Sequence, residues 1–160
     1  MPTNRARRLL SILGPEFTIN DVVSKINVSY QTAKKYVYEM IKEGFVNKVE
    51  DNKFIVTEKG LFLIEGENMA KKGVEDKYAY IFTDEKGMPL PIKIDNIEKL
   101  YAILRYKIVP DNIIMHHVEK GYLVKWILEQ LGARILAQKL QETKSPSELL
   151  KLLEEYIGTD

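Results

Sequence analysis

The 160-residue chain has no cysteine, a single tryptophan and two histidines. Without thiols there is no disulfide staple, thiolate zinc site or cysteine nucleophile, and a reducing cytoplasmic setting is the default expectation. Uninterrupted apolar runs last only a few residues, so no segment is expected to span a bilayer and no membrane partner is expected. Met1 to Leu13 is basic and then briefly apolar, too short for a signal peptide and without a small-residue cleavage site after it. Charge of one sign is missing in bulk, since 24 Lys/Arg against 23 Asp/Glu leave +1. Taken alone, that balance argues against a nucleic-acid partner. What is present is 45% hydrophobic and 29% charged residues, enough to bury a core and too apolar for disorder. The length suits one ordinary domain or two small ones.

Dividing the chain changes the reading of its charge. Residues 1–60 carry ten Lys/Arg against seven Asp/Glu, or +3, and residues 61–160 carry fourteen against sixteen, or −2. Three of the five arginines (Arg5, Arg7 and Arg8) stand at the start. A basic front half is therefore hidden by an acidic back half.

The front half is punctuated clearly. Ala6, Leu9, Leu10 and Leu13 have the spacing of an amphipathic helix from Arg5, which Gly14-Pro15 ends. Phe17 to Ile19 reads as a short extended piece, after which Asn20 caps a helix through Asp21, Val22, Val23 and Ile26. Asn27-Val28 is a tight turn, and Ser29 caps a helix over residues 30–43 that stops at Gly44. Its inward face is Ala33, Val37, Met40 and Ile41. Phe45 to Val49 alternates like a strand, Asp51-Asn52 is a turn pair, and Lys53 to Thr57 is the returning strand.

Three helices, the last two joined by a short turn, and then a hairpin describe a winged helix-turn-helix. The run Ser29, Thr32, Ala33, Lys34, Lys35, Val37, Met40, Glu43, Gly44, Phe45 and Val46 resembles that family's recurrent pattern. Thr57-Glu58-Lys59-Gly60 is similar to the opening of the family's fourth helix, and the resemblance spans residues 5–65. It implies double-stranded DNA as partner, with helix 30–43 in the major groove, and a transcription regulator or chromatin-associated factor of prokaryotic or archaeal type. The exposed N-terminal residues of that helix are Tyr30, Gln31, Thr32, Lys34 and Lys35. Gln31 suits adenine and a lysine suits guanine. Tyr38 and Lys42 are placed for phosphate, Ser29 and the free amides behind it can receive one, and Arg5, Arg7 and Arg8 can touch the backbone or a minor groove. Lys48 and Lys53 flank a wing short enough to brush phosphates rather than read sequence. The rival reading is an adaptor that docks the same fold on a protein.

The back half reads as a mostly helical domain with a small β-hairpin, making the whole chain α+β with domains at 1–72 and 77–160. Leu61 to Ile64 starts a fourth helix that Gly66 weakens and Lys71-Lys72-Gly73 ends, followed by linker through Asp76. Tyr78 to Phe82 and Leu90 to Ile94 are strands around Asp84-Glu85-Lys86-Gly87, with Pro89 and Pro91 confining the second to an edge. Asp95 and Glu98 resemble a capping box, Pro110-Asp111 starts another helix, and Tyr122 to Leu140 continues helical with a kink or break at Gly132. Ser145-Pro146-Ser147-Glu148 is a strong start signal for the Leu-rich helix after it. The stretch from His116 through Gly132 resembles an uncharacterised prokaryotic domain, which implies no function.

Catalytic constellations are missing. There is no phosphate-binding glycine loop and no GxSxG serine, and the carboxylates are scattered, so an enzyme is not expected. His116 and His117 are adjacent, about 100° apart on a helix, and do not share a metal readily. No metal and no cofactor are expected. A structural, hydrogen-bonding role beside Tyr122 and Trp126 is the first expectation for the two histidines, and with Trp126 they also offer a ligand-contact or pH-sensing site for a small-molecule or protein effector. A ligand-responsive, enzyme-like back half is a third reading, and it requires a deep pocket beside all three. Dimerisation into a homodimer is the first role expected of this half and effector binding the second.

Overall fold

Helix α1 (Thr3–Leu13) turns Ala6, Leu10 and Leu13 into a core and stops where Gly14 takes φ 84° and donates its N–H to Leu10 O. It begins before the expected Arg5, because the Pro2 carbonyl already accepts from the amides of Arg5 and Ala6. The computed structural model describes residues 1–158. They divide into two units, Met1–Glu67 and a second beginning at Asn68.

In the first unit β1 (Glu16–Phe17) is shorter than the expected extended piece, because Thr18 rather than Asn20 caps α2 (Ile19–Ile26). Thr18 Oγ1 accepts the Asp21 N–H at 3.1 Å and the Asp21 carboxylate accepts the Thr18 N–H at 2.9 Å, a reciprocal box open only to a residue three before an acid. Asn27, at φ 60°, makes the left-handed turn into α3 (Tyr30–Lys42). Ala33, Val37 and Met40 of α3 are buried, and Ile41 packs against them partly exposed. Gly44, at φ 83°, then lets Phe45 N–H reach Met40 O, which ends the helix.

The wing consists of β2 (Val46–Glu50) and β3 (Lys53–Val56), and β1 pairs with β3 to give the antiparallel order β1-β3-β2. The expected in-out alternation fails in β2, where only Val46 is buried and a register shift intervenes between Lys48 and Glu50. At the turn Asn52 Oδ1 accepts the Ile19 N–H at 2.9 Å, tying the wing to the start of α2. Helix α4 (Glu58–Met69) passes through the buried Gly66 without interruption. Gly60 has no room for a side chain, since a Cβ there would lie 2.5 Å from Phe45 O and from Val56 Cγ1.

In the second unit the expected linker is structured. Val74 N–H donates to Asp95 O, Lys93 pairs with Asp76 at 2.6 Å, and Asp76–Tyr78 forms a single 3-10 turn. Strands β4 (Tyr80–Thr83) and β5 (Pro89–Ile94) pair antiparallel. Asp84 organises the connection by accepting from the amides of Lys86 and Met88. Helix α5 (Ile97–Arg105) is capped by Asn96, whose Oδ1 accepts the Lys99 N–H, one residue later than the expected Asp95. Asp95 instead pairs with Lys99 at 2.8 Å.

Helix α6 (Asp111–Glu119) ends before Gly121. The expected long helix after it is broken into α7 (Tyr122–Trp126), a π turn over Ile127–Leu131 and α8 (Arg134–Leu140). Of the kink or break expected at Gly132 the structure has the break: the residue sits at φ 71° and its N–H reaches back to Ile127 O. Ser145 caps α9 (Pro146–Ile157) through the Glu148 N–H, as its sequence foretells. Phe82, Ile97, Leu100, Ile114, Leu123 and Leu149 are fully buried in this unit.

Candidate nucleic-acid interface

With Ala33, Val37 and Met40 holding one side of α3 in the core, the 3.6-residue period sends the opposite side to solvent. Tyr30, Gln31, Lys34, Lys35, Tyr38 and Lys42 are all exposed there. Ser29 Oγ accepts the Thr32 N–H at 3.2 Å and donates to Thr32 Oγ1 at 3.0 Å, so the cap is neutral and Thr32 is half-buried against it. No carboxylate stands between Ser29 and Lys35. The positive end of the helix dipole therefore faces solvent without an acidic side chain in its first turn.

The three N-terminal arginines separate. Arg5 is exposed and its guanidinium lies 5.9 Å from the centre of the Tyr36 ring, which fastens it alongside α3. Tyr36 was not among the residues singled out from the sequence; its position one past Lys35 gives no sign that it would hold an α1 side chain. Arg8 is exposed. Arg7 corrects the sequence reading: it is 2% exposed, and its Nη1 donates to Leu63 O at 3.1 Å. One residue of rotation carries it from the outer side of α1 to the buried stripe of Ala6 and Leu10, so it braces α4 and presents no charge to a phosphate.

Lys48 and Lys53 are exposed on the wing, but each has an acid at hand. Lys48 Nζ lies 3.5 Å from Asp51, and Lys53 stands opposite Glu50 in the strand register.

In the second unit the two histidines diverge as adjacent helical residues must. His116 is exposed, and with Thr83, Asp84, Glu85, Asn112 and Ile113 it lines a cleft of about 290 Å³. His117 is 2% exposed. Its Nε2 lies 3.1 Å from the backbone N, the carbonyl O and the Oγ1 of Thr83, and its Nδ1 is within hydrogen-bond reach of the Tyr80 hydroxyl. The Phe82 ring lies edge-on at 5.2 Å. Trp126 is also buried, and its Nε1 donates to Tyr78 O. Burial pushes the Tyr80 phenol well above its ordinary range, and Tyr122 adds to the shift. His116, His117 and Trp126 therefore do not converge on one pocket. His117 and Trp126 clamp β4 and the turn before it, and only His116 faces a cleft. Among the described residues no group of three or more His, Asp or Glu is arranged to hold a metal ion. No described helix is long and apolar enough to cross a membrane.

Three helices with the third laid open, closed by a β-hairpin pinned to the second, define a winged helix-turn-helix. Residues 8–75 match the winged helix-turn-helix family model, and the N-terminal unit of this chain is such a domain. Neither a curated protein nor a solved structure matches the chain.

Proposed function

We propose that the chain is a cytoplasmic DNA-binding protein, a transcription regulator or chromatin-associated factor, that places α3 in the major groove of duplex DNA. The observation that carries this reading is the exposed basic side of α3, without a carboxylate from Ser29 to Lys35, within a winged helix-turn-helix domain. Gln31 and Lys34 reach base edges, Lys35 and Lys42 meet phosphates, and Arg5 and Arg8 add backbone contacts from α1. The second unit joins two copies into a homodimer, which doubles a contact area that is small for one module, and offers the His116 cleft to an effector.

The test is a salt titration of the full chain on a short mixed-sequence duplex. Replacing Gln31, Lys34 and Lys35 together by alanine should weaken binding and flatten the dependence of log K on log salt by about one, for the phosphate contact of Lys35. Binding that survives with an unchanged slope would exclude α3 as the contact helix.

A further inference from the structure

Tyr30, Lys34, Tyr38 and Lys42 are successive four-residue steps of α3, all exposed. At 1.5 Å per residue such steps lie about 6 Å apart and form one continuous ridge. The ridge alternates aromatic ring and ammonium along its whole length. Tyr30 is 54% and Tyr38 50% exposed, whereas Tyr36, on the flank of the same helix, is half-buried. Lys34 Nζ sits 6.0 Å from the centre of the Tyr38 ring, so cation and ring already act as a pair.

An intact duplex makes little use of the two ring faces on this ridge. Paired bases offer only their edges in a groove, while the tyrosines offer flat faces. Unpaired bases have free faces of their own, every base has one, and the interleaved lysines match the phosphates between them. In the wing Lys48 lies 3.5 Å from Asp51 and Lys53 stands opposite Glu50, so the wing brings no net positive charge to a second stretch of backbone.

We propose that the Tyr30–Lys42 ridge is a stacking platform for unpaired bases, and that the protein prefers DNA with a single-stranded segment to uniform duplex. The proposal rests on α3 being the DNA-contacting helix. The experiment measures the affinity of the full chain for a short mixed-sequence duplex and for the same duplex extended by a run of unpaired thymidines. The extended probe should bind roughly tenfold more tightly. Tyr30→Leu/Tyr38→Leu should abolish that gain, bringing the ratio of the two affinities to about one, and Tyr30→Phe/Tyr38→Phe, which keeps the rings, should retain it. Circular dichroism of both variants confirms that these exposed substitutions leave the fold intact. Equal affinity of the parent for the two probes overturns the proposal, as does a phenylalanine variant that loses the gain like the leucine one, since the hydroxyls would then be contacting phosphate. Failure of the parent to bind either probe refutes the DNA reading itself, a separate outcome.

Discussion

Arg7 and Arg8 are neighbours in sequence with opposite surroundings. Arg7 lies between Ala6 and Leu10 on the stripe that α1 buries, and its guanidinium holds the Leu63 carbonyl. Arg7→Ala should lower stability by about 3 kcal/mol, from lost packing and a carbonyl left without its donor, read as a shift of the urea midpoint. Arg8→Ala should change stability by less than about 0.5 kcal/mol and instead weaken DNA binding. A result with the two effects exchanged would contradict the placement of both side chains. The helical spacing of Arg7 with Leu10 was legible in the sequence, but the charge on Arg7 pulled the reading outward. His117 agrees with the structural, hydrogen-bonding reading of its sequence: the buried ring is a crossbrace for β4.

Among the elements, helix starts were readable where a serine stands as the cap directly before the helix. Ser29 and Ser145 are such cases, and both accept the amide three residues on. The start of α2 was misplaced by two residues, because Asn20 is a good cap in isolation and only the reciprocal bond to Asp21 selects Thr18. Thr18→Ala should therefore cost about 1 kcal/mol in thermal or urea unfolding. Asn20→Ala should cost less than about 0.5 kcal/mol. Equal losses would mean that the box does not govern the start of α2. The break at Gly132 was legible within residues 122–140, but the π turn over Ile127–Leu131 before it was not. The segment's apolar periodicity is continuous enough for one helix, and what ends it is a left-handed glycine together with the buried packing of Ile127, Leu131 and Leu136.

Over the whole molecule, legibility falls from the first unit to the second. The winged helix-turn-helix is built from local signals, whereas the second unit is secured by distant partners, such as Tyr80 with His117 and Trp126 with Tyr78. No spacing rule connects residues that far apart. The two units can nevertheless be followed separately, because Trp126 is the only tryptophan and packs 5.6 Å from Tyr80. Tyr80 holds its proton more tightly folded than unfolded, so its contribution to stability is complete below the unfolded value near pH 10 and is lost as pH rises beyond it. Tryptophan fluorescence should therefore report a melting temperature that falls more steeply above about pH 10 in the parent than in Tyr80→Phe. Parallel curves for the two proteins would remove Tyr80 as the cause. In the first unit, the bond from Ile19 N–H to Asn52 Oδ1 joins the wing to α2 before any DNA arrives. Ordering that domain adds nothing to the thermodynamics of association, so the heat-capacity change of duplex binding should measure buried surface alone, without a coupled-folding component.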